Sequence, residues 1–316
     1  MQTKKRTLRD INCLVLGGGG FIGTHLCQAL LREGAQVRGF GRSRTDAAAL
    51  AGVVWTSGEF ADRTALARAV EGCEVVFHLL GGSIPDSSNR DPLGDLLSSV
   101  VPALQLLEIC RASLVRKVLF ISSGGTVYGI PRAIPIPESA STEPISAYGI
   151  SKLAIEKYLA LYHHLYSCDF SVLRVANAFG PYQSPHRRQG LIAAFMHRIA
   201  RGQPVEIWGD GGVVRDFIYI ADVIDAVLLA ATYDGPHHVF NVGSGVGRSV
   251  LEVVTDIADV LGCPKIVPIH KSGRATDVPV NVLDIALIHR ELGWSARTVW
   301  SDGLRLTADW IRTLQD

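Results

Sequence analysis

The sequence predicts an α/β protein: a Rossmann-type doubly wound parallel sheet with a smaller C-terminal α/β substrate lobe. Three observations carry this. Short apolar runs alternate with helical patterns from residue 12 to residue 175, and such alternation builds a parallel sheet with helices on both faces. The first run leads directly into a glycine-rich turn and a helix. The run Val75–Leu80 is apolar without interruption, as a strand covered on both faces is. Right-handed crossovers then wind the sheet in both directions.

The elements follow in order. Asn12–Leu16 is a strand and Ile22–Arg32 a helix, which Gly34 ends. Gln36–Phe40 is the second strand, Val53–Thr56 a weaker third, and Asp62–Val70 a helix. After Val75–Leu80 come a helix over Pro92–Ala112, a strand over Lys117–Ser122, a long helix over Tyr148–Ser167 and a strand over Phe170–Val175. Gly180–Gly190, rich in Pro, Gln and Arg, reads as a loop, and Gly190–Gly202 as a helix. Val205–Trp208 with Gly209–Gly212 reads as a hairpin-like strand and turn. Phe217–Ala231 starts as a strand and continues as a helix; His238–Val242 is a strand and Val250–Leu261 a helix. We expect a dinucleotide-binding domain over residues 1–176, with 217–242 returning to it. The substrate lobe is expected over 177–216 and 243–316.

Composition narrows the function classes. Lysine and arginine total 31 against 30 acids, for a net charge of +1, which argues against nucleic acid or an anionic membrane as partner. No uninterrupted run approaches the roughly 18 apolar residues of a membrane span. Met1 to Asp10 is polar and basic with no secretory h-region behind it. The cysteines at 13, 27, 73, 110, 168 and 263 form no Cys-x-x-Cys pair and mostly sit in apolar runs. That usage suits a reducing cytoplasm. His163-His164 and His237-His238 are adjacent pairs whose side chains point apart, so no metal is expected.

Gly17, Gly20 and Gly23 are spaced G-x-x-G-x-x-G between strand and helix. The first permits the tight turn, the second lets backbone approach a pyrophosphate, and the third packs the helix on the strand. Phe21 and Ile22 open that helix, whose free N–H groups receive phosphates. An acid at the end of the second strand would bind the ribose 2′-hydroxyl of NAD. This chain has Gly41-Arg42-Ser43-Arg44 there. Arginine suits a 2′-phosphate, so the cofactor is NAD or NADP with a lean to NADP.

The strand Lys117–Ser122 runs out into Ser122-Ser-Gly-Gly-Thr-Val-Tyr-Gly129, and Tyr148-Gly-Ile-Ser-Lys152 follows. Tyr148 and Lys152 share a helical face, and an ammonium beside a phenol lowers the phenol pKa. Such a tyrosine can move a sugar hydroxyl proton while a nicotinamide takes hydride.

With Val-Phe-His-Leu (76–79), Leu-Arg-Val-Ala-Asn-Ala-Phe-Gly-Pro (173–181), Arg-Asp-Phe-Ile-Tyr (215–219), Phe-Asn-Val-Gly-Ser-Gly (240–245), Arg-Ala-Thr-Asp (274–277) and Glu-Leu-Gly-Trp (291–294), the chain resembles the extended short-chain dehydrogenase/reductase family. The likeness is to its nucleotide-sugar epimerase/dehydratase branch and runs from about residue 11 to the end. The resemblance implies that Tyr148 is the base at the sugar C4 hydroxyl and that Lys152 tunes it and bonds the nicotinamide ribose. It further implies that Ser122, Leu80, Gly81, Ser43, Glu59 and Phe60 lie against the cofactor, with Glu59 at the adenine. Asn177, Arg215 and Arg274 match residues that hold the sugar diphosphate.

Two departures bear on the reaction. Gly124 stands where relatives carry the catalytic Ser or Thr, which leaves Ser123 first and Thr126 second as the helping hydroxyl. Gly125 and Thr126 stand where dehydratases carry Asp-Glu, so a dehydratase is disfavoured. The reading is therefore a nucleotide-sugar 4-epimerase, with a UDP-hexose favoured by family frequency. The resemblance also implies a homodimer through Pro92–Ala112 and Tyr148–Ser167. The alternatives are an NADPH-dependent 4-keto-sugar reductase, motivated by Arg42, and a non-catalytic dinucleotide-binding regulator.

Overall fold

The structure, a computed structural model, describes residues 7–44, 46–81, 85–186, 190–264, 266–273 and 278–314. The first half alternates strictly: β1 (Asn12–Leu16), α1 (Phe21–Arg32), β2 (Gln36–Gly41), β3 (Val54–Ser57), α2 (Arg63–Val70), β4 (Val75–His78). The short α3 (Pro85–Ser88) and long α4 (Pro92–Ala112) precede β5 (Lys117–Ser123), α5 (Ala147–Tyr166) and β6 (Asp169–Val175). The second half runs β7 (Asn177–Phe179), α6 (Leu191–Ala200), β8 (Glu206–Trp208), β9 (Val214–Tyr219), α7 (Ile220–Thr232), β10 (Val239–Val242) and β11 (Gly247–Ser249). It closes with α8 (Val250–Leu261), β12 (Ile269–Lys271), β13 (Val280–Asn281), α9 (Ala286–Leu292) and α10 (Trp300–Thr313).

Seven strands form one sheet in the order β10-β6-β5-β4-β1-β2-β3, and every neighbouring pair is parallel. The chain moves outward from β1 to β3 and then returns to β4 on the other side of β1. The crevice at the carboxyl ends of β1 and β4 is therefore a topological switch point, where ligands of open α/β sheets bind. Apolar side chains cover both faces. One face packs Leu26, Leu30, Phe77 and Phe240 with α7 residues Val223 and Val227. The other packs Phe40, Val76 and Phe120 with Leu66 of α2, Leu106 of α4 and Ile155 of α5. A third cluster joins Met196 of α6, Ile257 of α8 and Leu304 of α10.

Local signals set the helix starts. Asp62 accepts from Ala65 N at 3.0 Å, and Asp91 accepts from Gly94 N at 2.9 Å ahead of Pro92. Ser249 and Glu252 form a reciprocal capping box on α8, which satisfies two otherwise unpaired N–H groups.

Three features differ from the sequence reading. Residues 205–212 make no hairpin: β8 pairs in parallel with the distant β12, a partner that local pattern does not reveal. The sequence reading assigns no element to α3, β7, β11, β12, β13, α9 or α10. Leu304, Thr307, Ala308 and Ile311 of α10 are buried at helical spacing, so the signal was present. Third, α4 is long and apolar enough to cross a membrane, although no uninterrupted apolar run shows it. About half of it is buried inside the protein, against α5 and α2.

Candidate active site

At the carboxyl end of β1 the backbone makes a cradle. Gly17 adopts φ +86°, a left-handed conformation suited to glycine, and donates to Phe40 O at 2.8 Å. Gly20 N donates to Gly17 O at 2.9 Å and heads α1 without a side-chain cap. A Cβ on Gly23 would lie 2.1 Å from Gly17 O. Only glycine allows α1 to sit this close to the turn. Phe21 and Ile22 are half-buried in the first turn. The arrangement fits a dinucleotide: an uncapped helix N-terminus above backbone that no side chain fills.

The remaining cofactor candidates cluster along the same edge. Arg42 and Ser43 are exposed just past β2. Arg44 instead turns its guanidinium back onto Ala47 O and Leu50 O. Glu59 is exposed past β3, and half-buried Phe60 packs its ring 5.0 Å from the His78 ring. Leu80 and Gly81 follow β4, and a Cβ on Gly17 would meet Leu80 at 3.2 Å.

The first turn of α5 carries Tyr148 and is held from three sides. Ser146 caps Gly149 N at 3.2 Å, Asn89 accepts from Ala147 N at 2.8 Å, and Ser88 accepts from Tyr148 N at 3.0 Å. Tyr148, Lys152, Ser99, Leu80 and Gly81 line one cavity. Lys152 Nζ donates to Ile121 O at 2.9 Å and lies 4.7 Å from the Phe120 ring centroid and 5.7 Å from that of Tyr148.

The electrostatics correct the sequence reading. The Tyr148 phenol is pushed up to about 12, by burial first and by the nearby Asp95 charge second. Although Tyr148 keeps some exposed surface, protein surrounds its phenol, and desolvation dominates. Burial brings Lys152 down to about 8 against the opposing pull of Glu156 and Asp95. His78, 2% exposed, is held down to about 3 by burial and by Lys152, so it is neutral.

The serine loop explains its own departure. A Cβ on Gly124 would lie 2.5 Å from Leu283 Cδ1 and 2.9 Å from Arg174 O. The position that carries a hydroxyl in relatives has no room for one here. Ser122 Oγ donates to Glu156 Oε1 at 2.5 Å, deep in the protein. Ser123 is half-buried one residue on, and Thr126 Oγ1 is enclosed with no hydrogen-bond partner among the described residues.

On the second sheet, Asn177 Nδ2 donates to Asp216 O at 2.9 Å, and Arg215 Nη1 donates to Val278 O at 2.5 Å. Arg274 lies outside the described residues. Sequence reasoning missed Arg248, which the register places opposite Arg215 across the β9–β11 pair. Its guanidinium stacks 4.5 Å from the Trp300 ring centroid. Like charges in opposed strand positions repel, and an anion between them would relieve the repulsion. Sequence reasoning also missed Asp95 and Glu156, two buried acids beside Lys152; the (i, i+4) spacing from Lys152 to Glu156 was the available signal.

The switch-point cradle and the Tyr148/Lys152 pair define a dinucleotide-binding enzyme of the short-chain dehydrogenase/reductase class. The profile of the NAD dependent epimerase/dehydratase family matches residues 13–243, and the chain belongs to that family. It is 35% identical to the UDP-glucose 4-epimerase of Mycolicibacterium smegmatis over 308 residues, covering 95% of this chain and 98% of that one. Among solved structures, the Thermotoga maritima UDP-glucose 4-epimerase with UDP-glucose matches with TM-score 0.91 and 34% identity over 96% of this chain and 99% of that one. The Thermus thermophilus UDP-glucose 4-epimerase in complex with NAD matches with TM-score 0.88 and 32% identity over the same shares.

Restoring a hydroxyl at Gly124 should harm the protein. Gly124→Ser forces Leu283 and the Arg174 carbonyl apart and should cost roughly 1–3 kcal/mol of stability. Urea unfolding checks this, and an unchanged midpoint would contradict the packing argument.

Proposed function

We propose that this protein is a nucleotide-sugar 4-epimerase, with a UDP-hexose as substrate. The observation that carries the reading is the Tyr148/Lys152 pair, set in one cavity with the Leu80–Gly81 segment at the switch point. Its cofactor is NAD or NADP. Gly17, Gly20 and Gly23 with the start of α1 would hold the pyrophosphate, and Leu80, Gly81 and Lys152 would border the nicotinamide half. Arg42, exposed past β2, favours the 2′-phosphate of NADP; the Thermus relative's complex with NAD favours the other form.

When bound, the nicotinamide supplies reversible hydride acceptance at the sugar C4. The chain's own residues do the rest. Arg215 and Asn177, with Arg274, hold the diphosphate and leave the hexose free to turn over as a 4-keto sugar. Tyr148 takes the C4 hydroxyl proton and later returns it. Its high pKa keeps the phenol protonated at rest, and protonated Lys152 stabilises the phenolate as it forms. Ser123 donates a hydrogen bond to the C4 oxygen, since the Thr126 hydroxyl is enclosed. Gly125 and Thr126 offer no carboxylic acid for eliminating the C6 hydroxyl, which separates this site from a dehydratase.

The reductase alternative draws on Arg42 and on 28% identity to the dTDP-4-dehydro-6-deoxyglucose reductase of Escherichia coli over 309 residues. The free, mostly buried cysteines suit a reducing cytoplasm.

Leu93, Leu97, Leu161 and Leu165 are exposed on α4 and α5, and their apolar faces support a homodimer through a four-helix bundle.

Purified protein should interconvert UDP-glucose and UDP-galactose without added reductant. Tyr148→Phe should lower kcat by about 10²–10⁴-fold while keeping the dinucleotide, identified by mass after denaturation. Turnover only of a 4-keto sugar with NADPH would instead establish the reductase. Light scattering should give twice the chain mass, and the double variant Leu97→Glu/Leu161→Glu should halve it; a monomeric parent would refute the dimer.

A further inference from the structure

Behind the cavity lies a buried charge network that the reaction scheme does not use. Glu156, one turn past Lys152 on α5, is 4% exposed, and Arg174 on β6 is 5% exposed. The carboxylate accepts Arg174 Nη2 at 2.7 Å and Nε at 3.2 Å, along with the Ser122 hydroxyl at 2.5 Å. Arg174 Nη1 donates to the Tyr128 phenol at 2.9 Å, and that phenol donates to Asn241 Oδ1 at 2.7 Å. Ser122 and Tyr128 stand at the two ends of the loop that carries Ser123 and Thr126. One residue before Ser122, Ile121 offers the carbonyl that holds Lys152.

Successive turns of α5 thus grip successive residues of β5. Lys152 takes Ile121 and Glu156 takes Ser122, while Arg174 neutralises Glu156 and ties down the far end of the loop. Stability alone does not demand such a group. Well-packed apolar residues often replace a buried ion pair with no loss. The arrangement instead aims its contacts at the residues that flank the chemistry.

We propose that the Glu156–Arg174 pair is a positioning device that sets where Lys152 and the serine loop stand and what net charge Lys152 faces. Its kinetic consequence rests on the redox reading of Tyr148 and Lys152, whereas its electrostatic consequence does not. The groups facing Lys152 are Asp95 from α4, neutral His78 from β4, Tyr148 and Glu156 on α5, and Arg174 behind Glu156 on β6; β5 contributes the Ile121 carbonyl. Glu156 favours the ammonium, and Arg174 pairs with the Glu156 carboxylate.

The sign of each perturbation follows. Lys152 titrates at about 8, below the ordinary lysine value of 10.5, because burial disfavours its charge. Removing Glu156 leaves Arg174 uncompensated, and the midpoint falls. Removing Arg174 leaves Glu156 uncompensated, and the midpoint rises. Activity that needs protonated Lys152 is lost as pH rises through this midpoint, so the alkaline limb of kcat moves with it.

The test is NMR titration of the intact protein labelled with [¹³Cε]lysine, with Lys152 assigned through Lys152→Arg. Glu156→Gln should lower the midpoint by on the order of one pH unit, and Arg174→Met should raise it by a similar amount. Glu156→Gln/Arg174→Met should return it toward the parent value. Folded single variants with an unmoved midpoint, or with both shifts in one direction, overturn the proposal. If a single variant does not fold, Ser122→Ala decides: it keeps both charges and should lower kcat by about tenfold with KM little changed, and a parent-like kcat overturns the positioning role. The NMR readout needs no substrate. Expected midpoints in a protein without epimerase activity would therefore uphold the device and refute the proposed reaction.

Discussion

The seat of α5 on β5 is the constraint on which the site depends. A helix laid on a parallel sheet can slide along it, and apolar contacts alone resist sliding weakly because they are not directional. Here Lys152 bonds the Ile121 carbonyl and Glu156 takes the Ser122 hydroxyl. Two directional contacts one helical turn apart leave little freedom to slide. Tyr148, Lys152 and the serine loop are all placed by that seat. Tyr148 lies one turn before Lys152, the serine loop begins where the grip on β5 ends, and the cavity closes against the Leu80–Gly81 segment of neighbouring β4.

Burial then sets the charge states. In water, an ammonium near a phenol would favour the phenolate. In this cavity desolvation penalises both charged forms, and the phenol is driven up while the ammonium is driven down. Asp95 and Glu156 restrain the lysine, and Asp95 pushes the tyrosine further in the same direction. The pair rests as phenol and ammonium near neutral pH.

Packing from the far end of the chain shapes the serine loop. Leu283, just past β13, fills the space beside Gly124, and Asn281 on β13 donates to the Gly124 carbonyl at 3.1 Å. A glycine in the loop and a leucine more than a hundred residues away are two halves of one contact. A hydroxyl at position 124 is excluded for a steric reason.

The alternation of strands and helices, the glycine spacing and the Tyr148/Lys152 pair were legible because each depends on local periodicity or on residue types that few other structures require. The parallel sheet, the switch-point cradle and the family followed from them. The β8–β12 pairing was not legible, because strand partners distant in sequence leave no local mark. The state of Tyr148 was not legible either, because charge in a cavity depends on how much water the fold removes. Asp95, Glu156 and Arg174 read as ordinary helix and strand residues until the fold placed them behind Lys152. What the sequence determined by itself was which elements form and which groups can react. What only the tertiary structure decided was their partners, their solvation and therefore their charge, since these depend on contacts between residues far apart along the chain.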